Sequence, residues 1–232
     1  MDDIINIDTL KEIYEMHRKC VIKHSSGEIE EATDYNRMTL GFNKALKVVM
    51  AADLTTDHIV MNIFGGAGGI LRLLSLRNPR LLIAIDKLYP GEIKSPQNWF
   101  YDTDNSFMYW EKDIRNINKY IMIRRPVFCQ YDILNNMPAF MNAIDRIIID
   151  PPYGLVSEEA LRMNENESKK VFLASIVSGL NYLIRNGKII SIIPLKWLEF
   201  LLTQVDNIKV DTIEEIRGKH NFVIIEITRT ES

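Results

Sequence analysis

Residues 58–86 read HIVMNIFGGAGGILRLLSLRNPRLLIAID. A β-branched apolar run, His58 to Phe64, meets four glycines at positions 65, 66, 68 and 69, and a helix-spaced stretch over Ile70 to Arg77 follows. A second apolar run, Leu81 to Asp86, closes the unit. Short apolar runs alternating with longer periodic stretches are the pattern of βαβ units, whose parallel strands are buried on both faces. Glycine lets the chain turn sharply at the carboxyl end of such a strand and lets a ligand approach the backbone, which is where open α/β sheets bind ligands. Asp86 ends the second run 20 residues after Gly66, and a carboxylate there can accept hydrogen bonds from ribose hydroxyls. A glycine-rich turn that merely tightens the junction, with Asp86 capping the next element, would leave the same sequence pattern.

The alternation continues outward. Pro126 to Asp132, Arg146 to Asp150 and Lys188 to Pro194 are further apolar runs, so five parallel strands are predicted, with helices over Ser106–Ile123, Ser168–Arg185 and Lys196–Val205. Val210–Arg217 and Phe222–Arg229 alternate instead and are joined by Gly218-Lys219-His220-Asn221, which predicts an antiparallel hairpin. Upstream, Asp8 caps a predicted helix reaching residue 23, Ser25 to Asp34 reads as a loop, and Arg37 to Ala52 reads as a second helix. The expected organisation is a helical N-terminal extension over 1–55 and a catalytic α/β domain over 56–232.

Composition bounds the chemistry. The chain has 232 residues, 47% hydrophobic and 25% charged, which excludes disordered, collagenous and coiled-coil classes. Cys20 and Cys129 lie far apart, and His17, His24, His58 and His220 show no ligand spacing, so neither a disulfide framework nor a metal site is expected. The acidic start lacks the form of a targeting peptide, and no apolar run reaches the roughly 20 residues of a membrane span, so a cytoplasmic setting without membrane contact is expected.

The glycine loop fits a dinucleotide or an S-adenosylmethionine (SAM) site, and the third glycine separates them. Gly66 and Gly68 would demand glycine at 71 for G-x-G-x-x-G, and Leu71 stands there. The segment IIIDPPYG, residues 147–154, then ends the fourth predicted strand on the same rim. Pro151 and Pro152 restrict the backbone and remove two N–H donors, leaving an acceptor-rich corner. An exocyclic amine carries two hydrogens, which the Asp150 carboxylate and the Pro151 carbonyl can accept together. Holding them there frees the nitrogen lone pair for an electrophilic methyl group, and Tyr153 can stack on a planar base. A strand ending in an Asp-Pro-Pro turn with Tyr153 packed on the surface is the plain structural alternative.

With these motifs the chain resembles the class I SAM-dependent methyltransferases, in the amino-methyltransferase branch that carries Asp-Pro-Pro-Tyr, over about residues 55–230. The resemblance implies a Rossmann-like seven-stranded methyltransferase sheet, mostly parallel, with an antiparallel C-terminal hairpin and helices on both faces. It implies catalytic roles for Asp150, Pro151, Pro152 and Tyr153. It implies that Asn62, Phe64, Gly65, Gly66 and Gly68 cradle the methionine part of SAM and that Asp86 holds the ribose. It further implies that Lys87 flanks the adenosine and that Asp132 with Ile133 borders the adenine. The chain departs from the family at Asn62-Ile63-Phe64, where Asp-Pro-Phe or a close variant is usual. A neutral amide thus replaces a negative charge.

The branch methylates adenine N6 in DNA or RNA, guanine N2 in RNA, and occasionally protein side chains. The DPPYG spelling, the end HNFVIIEITR and the lack of room for a separate DNA-recognition domain favour RNA over DNA. Residues 87–125 carry eight aromatic side chains, among them Trp99, Tyr101 and Trp110, and Lys112, Arg115 and Lys119 share one helical face. Aromatics interleaved with cations suit a single-stranded nucleic acid, and they equally suit an insertion packed on the sheet with a solvated face. Residues 1–36 hold nine acids against four Lys or Arg, so the overall formal charge of -3 conceals a remainder of +2. A non-catalytic subunit working with a protein partner for substrate recognition is the reading from another class, motivated by Asn62.

Overall fold

A computed structural model describes residues 11, 21–23, 29–31, 40–65, 69–86, 126–135, 140–152, 164–218 and 220–230. Two short strands, β1 (Val21–Lys23) and β2 (Ile29–Glu31), pair antiparallel with each other. At 21–23 this corrects the end of the expected first helix, and at 29–31 the loop expected over 25–34, while residue 11 is helical and the other residues of those two segments lie outside the described residues. β-Branched Val21 and Ile22 favour a strand, and they pair with Glu31 and Glu30 respectively.

The main sheet has seven strands. After helix α1 (Phe42–Ala51) come β3 (Ile59–Ile63), α2 (Gly69–Leu76) and β4 (Leu81–Asp86), then β5 (Pro126–Gln130) and β6 (Ile144–Ile149). α3 (Glu165–Tyr182), β7 (Leu183–Pro194), a 3-10 turn (Leu195–Trp197), α4 (Leu198–Gln204), β8 (Ile208–Ile216) and β9 (Phe222–Arg229) complete the sheet and its layers. The spatial order is β5-β4-β3-β6-β7-β9-β8. β5, β4, β3, β6 and β7 are mutually parallel, and β9 runs antiparallel between β7 and β8. The order reverses between β3 and β6, the switch point at which α/β sheets open a crevice.

The five parallel strands, the C-terminal hairpin and the helices on both faces match the expected architecture. Several boundaries move. α1 begins at Phe42 rather than 37, because Gly41 is extended and serves as its N-cap. α3 runs from Glu165 to Tyr182, not 168 to 185, and the expected helix at 196 opens as the 3-10 turn. The helix expected over 106–123, with the aromatic and cationic insertion around it, lies outside the described residues.

Alternation along the strands divides the core into two layers. Val60, Leu82, Ala84, Ile148, Ile190, Ile192 and Ile224 face α1 and α2, meeting Phe42, Ala45, Val48, Val49, Leu71 and Leu74. Met61, Ile63, Ile83, Ile147, Ile149, Ile193 and Ile225 face α3 and α4, meeting Phe172, Ile176, Trp197 and Leu201. The boundary drawn at residue 55 therefore falls between α1 and β3, whose buried side chains share one core layer. At the amino-end rim, Arg146 Nε donates to the Ala52 carbonyl at 3.1 Å, tying the end of α1 to β6. β9 is apolar on both faces and occupies the interior, while β8, with Lys209, Asp211, Glu214 and Glu215, forms a charged edge that resists further pairing.

α3 is fixed at both ends. Asn164 and Glu167 form a reciprocal capping box, with Glu167 N–H donating to Asn164 Oδ1 at 3.0 Å and Asn164 N–H to Glu167 Oε2 at 2.8 Å. At the other end the Arg229 guanidinium donates to the carbonyls of Leu180 and Leu183. Among the described residues no helix is long and apolar enough to cross a membrane. Phe172 is fully buried with its ring centroid 5.8 Å from that of Trp197. Phe172→Ala is expected to lower the unfolding free energy by about 3–5 kcal/mol in a urea titration, through lost contacts and the cavity left behind.

Candidate active site

Strand register brings the sequence-predicted residues together. Ile63 on β3 is paired with Ile85 on β4 and with Ile149 on β6. The next residues along these parallel strands are Phe64, Asp86 and Asp150, so the three stand side by side at one rim. With neighbouring strands about 4.8 Å apart, the two carboxylate-bearing residues flank the β3 turn at a backbone separation of about 10 Å.

Phe64 leaves β3 with φ 62°, in the left-handed region. For a bulky aromatic this conformation costs about 1–3 kcal/mol and persists only where surrounding structure enforces it. The enforcement is visible: the N–H of buried Gly65 donates to the Ile85 carbonyl at 3.0 Å, clamping the turn to the end of β4. Gly66 and Gly68 lie outside the described residues, and α2 begins at Gly69.

β5 contributes the next side of the rim. Tyr131 N–H donates to the Asp86 carbonyl at 3.1 Å. Asp132 then folds the chain back, its Oδ1 accepting from Leu134 N–H at 3.1 Å. Ile133 packs into the α3-side core, and its carbonyl accepts from Ser178 Oγ at 3.5 Å. Ile133 is thus a wall anchored in the core, while Asp132 remains half-buried at the rim.

The end of β6 is held from both sides. Asn62, only 1% exposed, donates through Nδ2 to the Ile148 carbonyl at 3.2 Å and to its neighbour Ile63 at 3.4 Å. Buried Ser191 on β7 donates to the Ile149 carbonyl at 2.9 Å. The two carbonyls preceding Asp150 therefore receive side-chain donors from opposite neighbours. Pro151 is buried and Pro152 half-buried, which makes the corner rigid. Tyr153 and Lys87 lie outside the described residues.

Sequence reasoning missed three contributors. Ser191 carried no motif. Glu165 is a hub at the start of α3: Lys196 Nζ donates to it at 2.6 Å, Trp197 Nε1 at 3.2 Å, and Lys169 pairs with it at 3.5 Å. The Lys196 hydrogen bond, helped by Trp197 and Lys169, holds its carboxyl below the usual range against the opposing effect of burial. The Asn164-x-x-Glu167 capping signature marked this helix start but not its partner across the rim. Lys44 on α1 lies with Nζ 3.9 Å from the Phe222 ring centroid. Burial lowers its pKa, partly offset by the nearby Asp150 carboxylate.

The strand order, the left-handed Phe64 at the switch point and the acids on the flanking strand ends fit a Rossmann-like methyltransferase fold. No family model matches the chain, and no curated protein matches it. Solved structures do: TrmN from Thermus thermophilus is similar at 18% identity and TM-score 0.51, over 80% of this chain and 48% of that one. An rRNA methylase from Streptococcus thermophilus is similar at 11% identity and TM-score 0.52, over 83% of this chain and 98% of that one. A SAM-dependent methyltransferase from Aquifex aeolicus is similar at 16% identity and TM-score 0.50, over 79% and 88% respectively. At these identities the likeness is one of fold, and the chain spans about half the length (48%) of TrmN.

Two substitutions probe how the rim is held. Asn62→Asp replaces a buried donor by an acceptor facing a carbonyl, and is expected to cost about 1–3 kcal/mol in equilibrium unfolding, more at pH 8 than at pH 4 because the ionised form is the costlier one. Glu165→Gln tests the hub. A carboxyl whose folded pKa is depressed contributes stability above its unfolded value of about 4.3 and loses it as pH falls through the folded value. The melting temperature of Glu165→Gln should lie below that of the parent at pH 7, with the gap closing as the pH drops below about 4.

Proposed function

We propose that the chain is a SAM-dependent N-methyltransferase acting on an exocyclic amine of a nucleobase in RNA. The observation that carries this reading is the placement of Asp150 and Pro151 directly past β6, one strand from the Phe64-Gly65 turn at the switch point. The donor set fits the cofactor. Main-chain amides of the glycine-rich stretch 65–68 would suit its methionine end, and the Asp86 carboxylate, as the last residue of the adjacent strand, suits vicinal ribose hydroxyls. Lys87 and the Asp132-Ile133 bend would border the adenosine. Bound there, SAM supplies an electrophilic methyl group.

The remaining steps belong to the chain. Asp150 and the Pro151 carbonyl accept the two hydrogens of the substrate amine and fix its lone pair towards the rim. Pro152 keeps the corner from relaxing, and Tyr153 stacks on the base. A paired base cannot reach this corner, so the target is unpaired or flipped. The amine loses its proton after transfer, so catalysis comes mainly from positioning. RNA as substrate is supported by the basic and aromatic composition of 87–125, by the +2 charge of residues 37–232, and by likeness to a structure named as an rRNA methylase. Guanine N2 and adenine N6 are the two candidate amines.

Labelled-methyl transfer from SAM to separated tRNA, rRNA, DNA and protein fractions, followed by nucleoside analysis, tests the reading. Label is expected in an N-methylated nucleoside of RNA. Asp150→Ala should reduce transfer by about 10²-fold or more while SAM affinity stays within twofold. Label confined to DNA or protein moves the substrate assignment, and full activity in Asp150→Ala overturns the mechanism. Cofactor binding without transfer to any fraction would favour the non-catalytic subunit.

A further inference from the structure

Lys44 belongs to the part of the chain that the sequence reading placed outside the catalytic unit. It stands in the first turn of α1, and its Nζ lies 3.9 Å from the Phe222 ring centroid. Phe222 opens β9 and is paired with Pro194, the last residue of β7. The ring and the ammonium over it therefore sit at the rim where β6 ends. Ile148 belongs to the core layer that α1 covers. Residues two apart along a strand share a face, so Asp150 is the next position on α1's side. Burial pulls the Lys44 pKa down and Asp150 pushes it back up, which places the two groups within electrostatic reach.

Three other cations on the elements around this point have partners of their own. Lys47 on α1 pairs with Glu214 on β8. Lys188 on β7 pairs with Glu226 on β9 at 3.0 Å, and Lys196 after β7 pairs with Glu165 at 2.6 Å. Arg217 and His220, around the β8–β9 turn, are exposed.

We propose that Lys44 is a positioning residue for Asp150: its ammonium, seated over the Phe222 ring, holds the carboxylate ionised and oriented at the rim. The inference rests on the methyltransferase reading for its consequence, though not for its geometry. A carboxylate offers about four lone-pair sites, so one ammonium leaves acceptors for a substrate amine. The ring confines the ammonium without competing for the carboxylate, because a cation over an aromatic face needs no anion to stay there. α1 thereby becomes part of the active site.

The test uses the full chain with Lys44→Gln, Lys44→Met and Lys44→Arg. The 13C carboxyl shift of Asp150, assigned by its loss in Asp150→Asn, is titrated in each. Lys44→Gln and Lys44→Met should titrate at higher pH than the parent, and Lys44→Arg close to it. Lys44→Met keeps the half-buried apolar stem, so the measurement survives if the glutamine variant does not fold. In methyl transfer, kcat should fall about tenfold in the neutral variants, with substrate KM and SAM affinity within twofold, and Lys44→Arg should recover most of it. An unchanged Asp150 titration in both neutral variants overturns the inference, as does unchanged kcat in an active enzyme. A shifted titration in a chain that methylates nothing would sustain the Lys44 contact and remove the reaction assignment instead.

Discussion

Ile85, Ile63 and Ile149 stand abreast on β4, β3 and β6, and the residues that follow them are the ones on which the proposed chemistry depends. This register is a strong constraint because both faces of the sheet are buried. A one-residue slip of any of these strands would exchange its α1-side and α3-side residues and push Asn62 into the wrong layer. The cost of burying an unpaired amide, together with the lost isoleucine packing, keeps the three strand ends level. Asp86, Phe64 and Asp150 inherit their alignment from apolar side chains that take no part in any reaction.

Polar groups refine what the apolar core sets. Asn62 and Ser191 reach the last two carbonyls of β6 from opposite neighbouring strands. Each is buried, and each is satisfied by the backbone it braces. A buried donor in the middle of a sheet is costly unless it has such an acceptor, so these two residues specify how β3, β6 and β7 meet immediately before Asp150. Asn62, where the resembled family has an acid, is explained by its Nδ2 donating to Ile148. An ionised carboxylate in its place would face that carbonyl as a like partial charge. Glu165 applies the same logic on the other layer, joining the start of α3 to the turn that follows β7.

Much of the fold was legible because its signals are local. The runs at 81–86 and 222–229 became strands with those bounds, since continuous β-branched segments between turn residues have few alternatives. The glycine cluster and the Asp-Pro-Pro corner stood out in the sequence because glycine frees the backbone and proline restricts it wherever they stand. The lead-in was read less well. Val21–Lys23 has helical spacing in sequence, yet its β-branched residues pair with Ile29–Glu31, a contact that a window centred on one segment does not contain. The start of α1 moved for a different reason: Gly41 is extended and caps the helix, which apolar periodicity does not register.

The sequence by itself determined the alternating α/β architecture, the hairpin at its end and the residue types on the rim, because periodicity, turn chemistry and proline act within a few residues. The tertiary structure alone decided which side chains share space. It inserted β9 between β7 and β8, since a strand apolar on both faces is stable only when covered on both. It also set Lys44 over Phe222, 178 positions further along the chain. Such pairings come from the packing of α1 on the sheet, a condition that the whole core satisfies and that no short stretch of the chain encodes.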